Sequence, residues 1–208
     1  MPTEEDTAYW NNFYATHNAP AVPSNFATTV LSHVDKSKTL LELGCGNGRD
    51  AFFFARSGIT TIAVDESTQA IEKNSKIGHD NVSFQVADFT NLEKNQFSND
   101  NLGAIYSRFT LHSVDWEAYA RTLDWCAENL NSEGLLLLEA RTVNDPLCGE
   151  GTNIGKGEYN TSHYRRFAEI QDVMKDVTSR GFELVHASKD DHAVVYRIIA
   201  KRSSATVK

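Results

Sequence analysis

The chain is poor in the features that mark several broad protein classes. It has no apolar run approaching the roughly 18–20 residues of a membrane-crossing helix. Its opening Met-Pro-Thr-Glu-Glu-Asp is acidic, whereas a secretory leader needs a basic start and an apolar core, so a cytoplasmic location is expected. The three cysteines, Cys45, Cys126 and Cys148, are odd in number and scattered, with no CxxC and no Cys/His cluster. That argues against a disulfide framework and a structural zinc site, and no metal is expected. Lys and Arg number 20 against 28 Asp and Glu, a formal net charge of −8. Such a balance disfavours a nucleic-acid partner, whose phosphates call for a basic face. Two glycine signatures are missing as well. No G-x-x-x-x-G-K-[ST] run cradles a phosphate, and G-x-G-x-x-G fails because the third residue after Gly46 is Arg49.

What is present is an alternation of short apolar runs with helix-like segments over 208 residues, a length that suits one domain. Residues 6–17, with Tyr9, Trp10, Phe13 and Tyr14, read as an aromatic helix, followed by a connector over 18–24 and a second helix over 25–35. Strands are expected at 39–43, 60–64, 82–86, 102–107 and 135–140, separated by helices from about Gly48, from Ser67 and over 115–130. Ser67 is the N-cap candidate for its helix. A glycine-containing insert covers 141–162, then a helix over 163–179 and two strands, 182–188 and 192–200, joined by Lys189-Asp190-Asp191. A turn that short forces an antiparallel pair. The order implies a Rossmann-like α/β fold: a seven-stranded, mostly parallel sheet with an antiparallel C-terminal strand and helices on both faces. Residues 1–35 form an N-terminal helical segment, 36–200 the core, and no separate recognition domain is expected.

The most informative stretch is Glu42-Leu43-Gly44-Cys45-Gly46-Asn47-Gly48, a strand–turn–helix junction spaced E-x-G-x-G-x-G. It resembles motif I of the class I S-adenosylmethionine-dependent methyltransferases, and the resemblance extends over about residues 36–200. It implies S-adenosylmethionine as cofactor, held by Glu42 and the turn Gly44 to Gly48. Asp65, ending the second strand beside Glu66, is placed to accept from both ribose hydroxyls; a helix-start acid is the plainer reading. Asp88 and Phe89 follow the third strand, where the resemblance implies an acceptor for the adenine amino group and a side chain packing on the ring; a strand-terminal turn residue is the plainer reading of Asp88. Tyr106-Ser107-Arg108-Phe109-Thr110-Leu111-His112 looks like the motif IV region beside the donor methyl, with Ser107 on the donor side. It lacks the N/D-P-P-Y/F pattern of methyltransferases acting on DNA bases or glutamine.

Several side chains are candidates for the acceptor side. His112 is placed as a general base for a hydroxyl, or as a histidine packed at a helix start. Arg108 orients the acceptor or the donor carboxylate, or is an ion-pair partner. Glu139 and Arg141 end the fifth strand on one side by period-two alternation, Glu139 as a second candidate base. His163, Arg165 and Arg166 open the next helix and, with Arg141, would form an anion pocket or else a solvated basic turn; both arginines cannot face one way on a helix, so at least one is expected to be structural. The order E-A-R, insert, H-Y-R-R-F also looks like small bacterial methyltransferases of surface-glycan biosynthesis, which implies an acceptor bearing sugar hydroxyls or a phosphoryl group. The glycines of the insert suit either a lid or a plain surface loop, and the helix with Tyr9, Trp10, Phe13 and Tyr14 suits either closing the other side of the site or ordinary core packing. The expected activity is methyl transfer to an oxygen of a small molecule. A nucleotide-dependent oxidoreductase and a donor-binding domain without turnover are the alternatives.

Overall fold

The structure, a computed structural model, describes residues 4–17, 20, 22–97 and 101–204. Part of the expected connector over 18–24 and the first three residues lie outside the described residues. Six helices and ten strands follow in the order α1 (Glu4–Thr16), α2 (Asn25–Val30), β1 (Thr39–Leu43), α3 (Arg49–Arg56), β2 (Thr60–Asp65), α4 (Thr68–Ile77), β3 (Val82–Val86), β4 (Leu102–Arg108), α5 (Trp116–Asn129), β5 (Leu135–Arg141), β6 (Thr152–Gly155), β7 (Glu158–Asn160), β8 (Tyr164–Arg166), α6 (Ile170–Ser179), β9 (Phe182–Lys189) and β10 (Val195–Arg202). A 3-10 turn, Leu111–Ser113, lies between β4 and α5.

Every residue of β1 is buried, which marks it as a central strand covered on both faces. Period-two alternation then divides its neighbours between two cores. Leu41, Leu43, Leu136, Leu138 and Ile198 join α5 and α6 on one face. Leu40, Leu137 and Ile199 join Phe26, Val30 and Phe54 on the other. The main sheet runs β3-β2-β1-β4-β5-β10-β9, with β10 antiparallel to both β5 and β9. The fold is therefore Rossmann-like. Its strand order reverses between β1 and β4, and the crevice beyond their carboxyl ends is where open α/β sheets bind ligands.

Local signals explain most boundaries. Ser24, Ser67 and Asp115 each cap a helix, accepting from the backbone N–H three residues on. Four expectations need correction. The helix over 25–35 ends at Val30 and continues only as a turn. The loop-like insert is built partly as a small antiparallel sheet, β6-β7-β8. The helix expected from 163 starts at Ile170, because Tyr164–Arg166 pairs as a strand with β7, Tyr159 opposite Arg165. The C-terminal hairpin is also looser than expected: the loop covers 190–194 and is closed by Asp190 N–H donating to Val195 O at 3.0 Å.

Candidate active site

The turn between β1 and α3 is shaped by close approach. Gly44 and Gly46 have φ of 69° and 50°, which L side chains rarely adopt. A Cβ on Gly44 would strike Thr110, whose Oγ1 donates to Leu43 O at 3.0 Å. A Cβ on Gly46 would lie 2.5 Å from the Tyr14 hydroxyl, so α1 rests directly on the turn. Asp65 ties the turn to β2: its Oδ2 accepts from Gly46 N–H at 2.8 Å and its Oδ1 from Ser67 N–H at 2.9 Å. Burial nonetheless raises the Asp65 pKa. Glu42 is buried, and its Oε2 has no hydrogen-bond partner among the described residues. Burial first, then the nearby Asp50, pushes its carboxyl well above the usual range. An orphaned buried carboxylate oxygen on a cavity wall is suited to a cationic ligand group.

At the end of β4 the chain turns sharply. Phe109 has φ of 54°, an uncommon conformation for a non-glycine residue. Its ring lies 4.4 Å from the Arg108 guanidinium carbon and 5.3 Å from that of Arg141. His112 follows on the 3-10 turn, buried, its Nδ1 without a partner among the described residues. Burial, then the charges of Arg141, Arg166 and Arg165, hold its pKa well below 6.5. The imidazole is therefore neutral at neutral pH and able to accept a proton.

Strand register sets the neighbouring charges. Glu139 stands opposite Arg108 on β4 and opposite Arg197 on β10. Its Oε1 is 2.8 Å from Arg108 Nε, an ion pair without hydrogen-bond geometry, and its Oε2 accepts from Arg197 Nε at 2.6 Å. Glu139, read as a second candidate base, thus has both oxygens committed to arginines. Arg141 pairs with Asp145, and its Nε has no partner among the described residues. On β8, alternation separates the two adjacent arginines. Arg165 faces the cavity and donates to Thr161. Arg166 is buried, donates to the Val114 and Leu111 carbonyls at 3.2 and 2.6 Å, and stacks on Trp116 and Tyr119. Its expected place in the anion pocket is therefore corrected: it is a structural cation.

Between these groups lies a cavity of ≈ 380 Å³, reached by Glu42, Gly44, Cys45, Gly46 and Asn47 from one side and by Arg108, His112, Arg141 and Arg165 from the other. A smaller one of ≈ 60 Å³ adjoins it, lined by Asp65, Glu66 and Phe89. Trp10, Tyr14, Gly44 and Phe109 belong to both. The roof is α1, whose Tyr9 and Trp10 rings lie 4.4 and 5.1 Å from the buried His163 ring of the insert. Among the described residues, no group of three or more His, Cys, Asp or Glu is placed to hold a metal, and no helix is long and apolar enough to cross a membrane.

A family model described as a methyltransferase domain matches residues 14–187. The chain belongs to this methyltransferase family. Wheat (Triticum aestivum) phosphoethanolamine N-methyltransferase 1 is 26% identical over 145 residues, covering 68% of this chain and 28% of that protein. The chain thus spans less than a third of the length of that curated relative. Among solved structures, the [4+2]-cyclase SpnF superposes with a TM-score of 0.74 at 13% identity, covering 99% of this chain and 98% of that one. The Burkholderia thailandensis 1,6-didemethyltoxoflavin-N1-methyltransferase, solved with its acceptor and S-adenosylhomocysteine, superposes with a TM-score of 0.66 at 16% identity, covering 86% and 77%. At such identities the likeness is one of fold.

The cofactor of the methyltransferase domain is S-adenosylmethionine, and the residues present fit it: an orphaned carboxylate oxygen at Glu42, a side-chain-free backbone at Gly44 and Gly46, and an acid at Asp65. The structure brings most of the sequence candidates together. Three stand apart. Gly48 packs against Asn74 as the N-cap of α3. The Asp88 carboxylate closes a turn on Thr90, accepting from its N–H at 2.8 Å and its hydroxyl at 2.7 Å, and lines neither cavity. Ser107 is buried, its hydroxyl without a partner among the described residues, and also lines neither. Sequence reasoning missed Asp50, which accepts from Ser24 and Tyr106 and anchors the segment before α2, and Arg49, which holds the Val22 and Pro23 carbonyls. Their one sequence signal was position, directly after the glycine turn.

Proposed function

We propose that the domain transfers a methyl group from S-adenosylmethionine to an oxygen of a small molecule that bears an anionic, phosphoryl-type group. Bound S-adenosylmethionine supplies a methyl group already activated on a sulfonium. Glu42 would hold the donor's amino group, the turn at Gly44–Gly46 its backbone-facing edge, and Asp65 its ribose. The observation that carries the acceptor reading is the pairing of a neutral, buried His112 with arginines on one cavity wall. His112 takes the proton from the acceptor hydroxyl at Nε2, the ring nitrogen that is not sealed in the interior, as the new bond forms, and the adjacent arginines favour the unprotonated resting state. Arg141 and Arg165 hold the acceptor's anion, which guanidinium groups bind bidentately. The α1 helix and the β6-β7-β8 insert cover the site and exclude water. No nucleic-acid partner is proposed.

A second reading, with an amine as acceptor, is supported by the name of the wheat relative, which acts on a phosphorylated amine. The same histidine would then remove the ammonium proton before transfer. Calorimetric titration with S-adenosylmethionine and with NAD comes first, and selective binding of the former is expected. Transfer of labelled methyl is then measured on matched panels of phosphorylated alcohols and phosphorylated amines. Labelling of alcohols alone supports the oxygen reading, and labelling of amines alone replaces it. Selective binding of NAD would overturn the proposal.

A further inference from the structure

A side chamber of ≈ 200 Å³ opens off the main cavity, sharing Arg49, Arg108 and Phe109 with it and closed by Asn25, Glu139 and Arg197. Three guanidinium groups face one carboxylate there. The Asp50 carboxylate lies behind Arg49, 3.9 Å from its Nε, with its oxygens already taken by Ser24 and Tyr106. Arg108 and Arg197 spend only Nε on Glu139, so among the described residues their Nη groups have no hydrogen-bond partner. These are fixed donors. The Arg108–Glu139–Arg197 row is set by register across three adjacent strands, and Arg49 is held by two backbone carbonyls. Paired guanidinium forks held open in a concave wall form a site for a phosphoryl oxyanion.

We propose that this chamber is a second anion subsite, so that the acceptor is an elongated molecule with two anionic groups. One is held at Arg141 and Arg165 beside the reacting atom. The other, a phosphoryl group, is held by Arg108 and Arg197 on the far side of Phe109. The inference rests on the methyltransferase reading and deepens it by assigning the acceptor class. The Phe109 ring is in contact with one arginine of each subsite, Arg108 at 4.4 Å and Arg141 at 5.3 Å, and so marks the boundary between them along the ligand.

The test uses inorganic phosphate as probe, titrated calorimetrically into the full chain saturated with S-adenosylhomocysteine, in low-salt buffer free of other polyvalent anions. Two phosphate sites are expected in the wild type. Arg197→Met weakens one of them about tenfold and spares the other, while Arg165→Met does the reverse. Arg197→Met also relieves Glu139 of one partner, so a second variant, Asn25→Asp, guards against misfolding. It puts a carboxylate on the chamber wall at the first position of α2, where an acid is tolerated by the helix. Its phosphate affinity at the same site falls, and Asn25→Lys raises it. A single site that Arg165→Met abolishes and that ignores Arg197→Met and Asn25→Asp would overturn the second subsite, as would no phosphate binding at all. S-adenosylhomocysteine binding, measured in the same cell, separates the two failures: its loss in the wild type defeats the methyltransferase reading, its retention without chamber binding defeats only this inference.

Discussion

Replacing His112 by alanine is expected to cut turnover by about 10²–10⁴-fold, the usual worth of a positioned proton acceptor, while calorimetric binding of S-adenosylhomocysteine stays nearly unchanged. Unaltered turnover at saturating acceptor would remove the residue from the mechanism. The pH dependence has a definite sign. The folded imidazole has its pKa held below 6.5 by burial and by the neighbouring arginines. On acidification the unfolded chain therefore takes up this proton first. The stabilisation is complete above 6.5 and is lost as pH falls from 6.5 toward the folded value. The acid limb of turnover accordingly lies below 6.5, and a limb at or above it would contradict a resting neutral base. Of the two candidate bases read from the sequence, only the structure separates them. Glu139 and His112 are both acid–base side chains at strand ends, and nothing local tells that one is clamped between two arginines from other strands.

The Arg108–Glu139–Arg197 row belongs to the scale of paired strands. Glu139→Gln leaves two guanidinium groups without their shared anion, and about 3 kcal/mol of stability should be lost. Urea unfolding measures it, and a change within error would mean that solvent already compensates the arginines. The row was invisible beforehand because opposition depends on register between β4, β5 and β10, which no single segment encodes. By contrast β1 and β5 were legible, since a continuous apolar run buried on both faces carries its own signature. The start of α6 was not. Ser-His-Tyr-Arg-Arg-Phe has no breaker, and its strand character comes only from pairing with β7. Helix α1 was legible as an aromatic helix that could close one side of the site, but its seat on the glycine turn was not, because that depends on contacts with α4. Asn11 accepts from Ser67 Oγ at 2.8 Å, and Lys73 Nζ donates to the carbonyls of Tyr14 and Ala15 at 2.7 Å each. Lys73→Met is expected to speed amide exchange in α1 and leave β1 and β5 protected. Equal protection of α1 in both proteins would show that the aromatic packing alone holds it.

For the molecule as a whole, an excess of acid coexists with a cluster of arginines at one crevice. The bulk charge was legible at once, and so was part of the inversion at the site, in the expected pocket of Arg141 with Arg165; the places of Arg49 and Arg197 were not, because the arginines Arg49, Arg108, Arg141, Arg165 and Arg197 come from five separate elements. An anionic acceptor should therefore show a KM that rises with ionic strength, whereas the donor Kd changes little; a KM insensitive to salt would argue for an uncharged acceptor. The fastening of α1 to α4 carries one more consequence. Trp10 and Tyr14 line both cavities, so a ligand filling them binds the seated helix more tightly than the lifted one. By linkage, opening of α1 becomes rarer in proportion to ligand saturation. Chymotrypsin, which needs the exposed aromatic bonds of that helix, then cuts at a rate set by how much of the protein is loaded, and a single N-terminal cleavage becomes a readout of occupancy at the methyl-donor site.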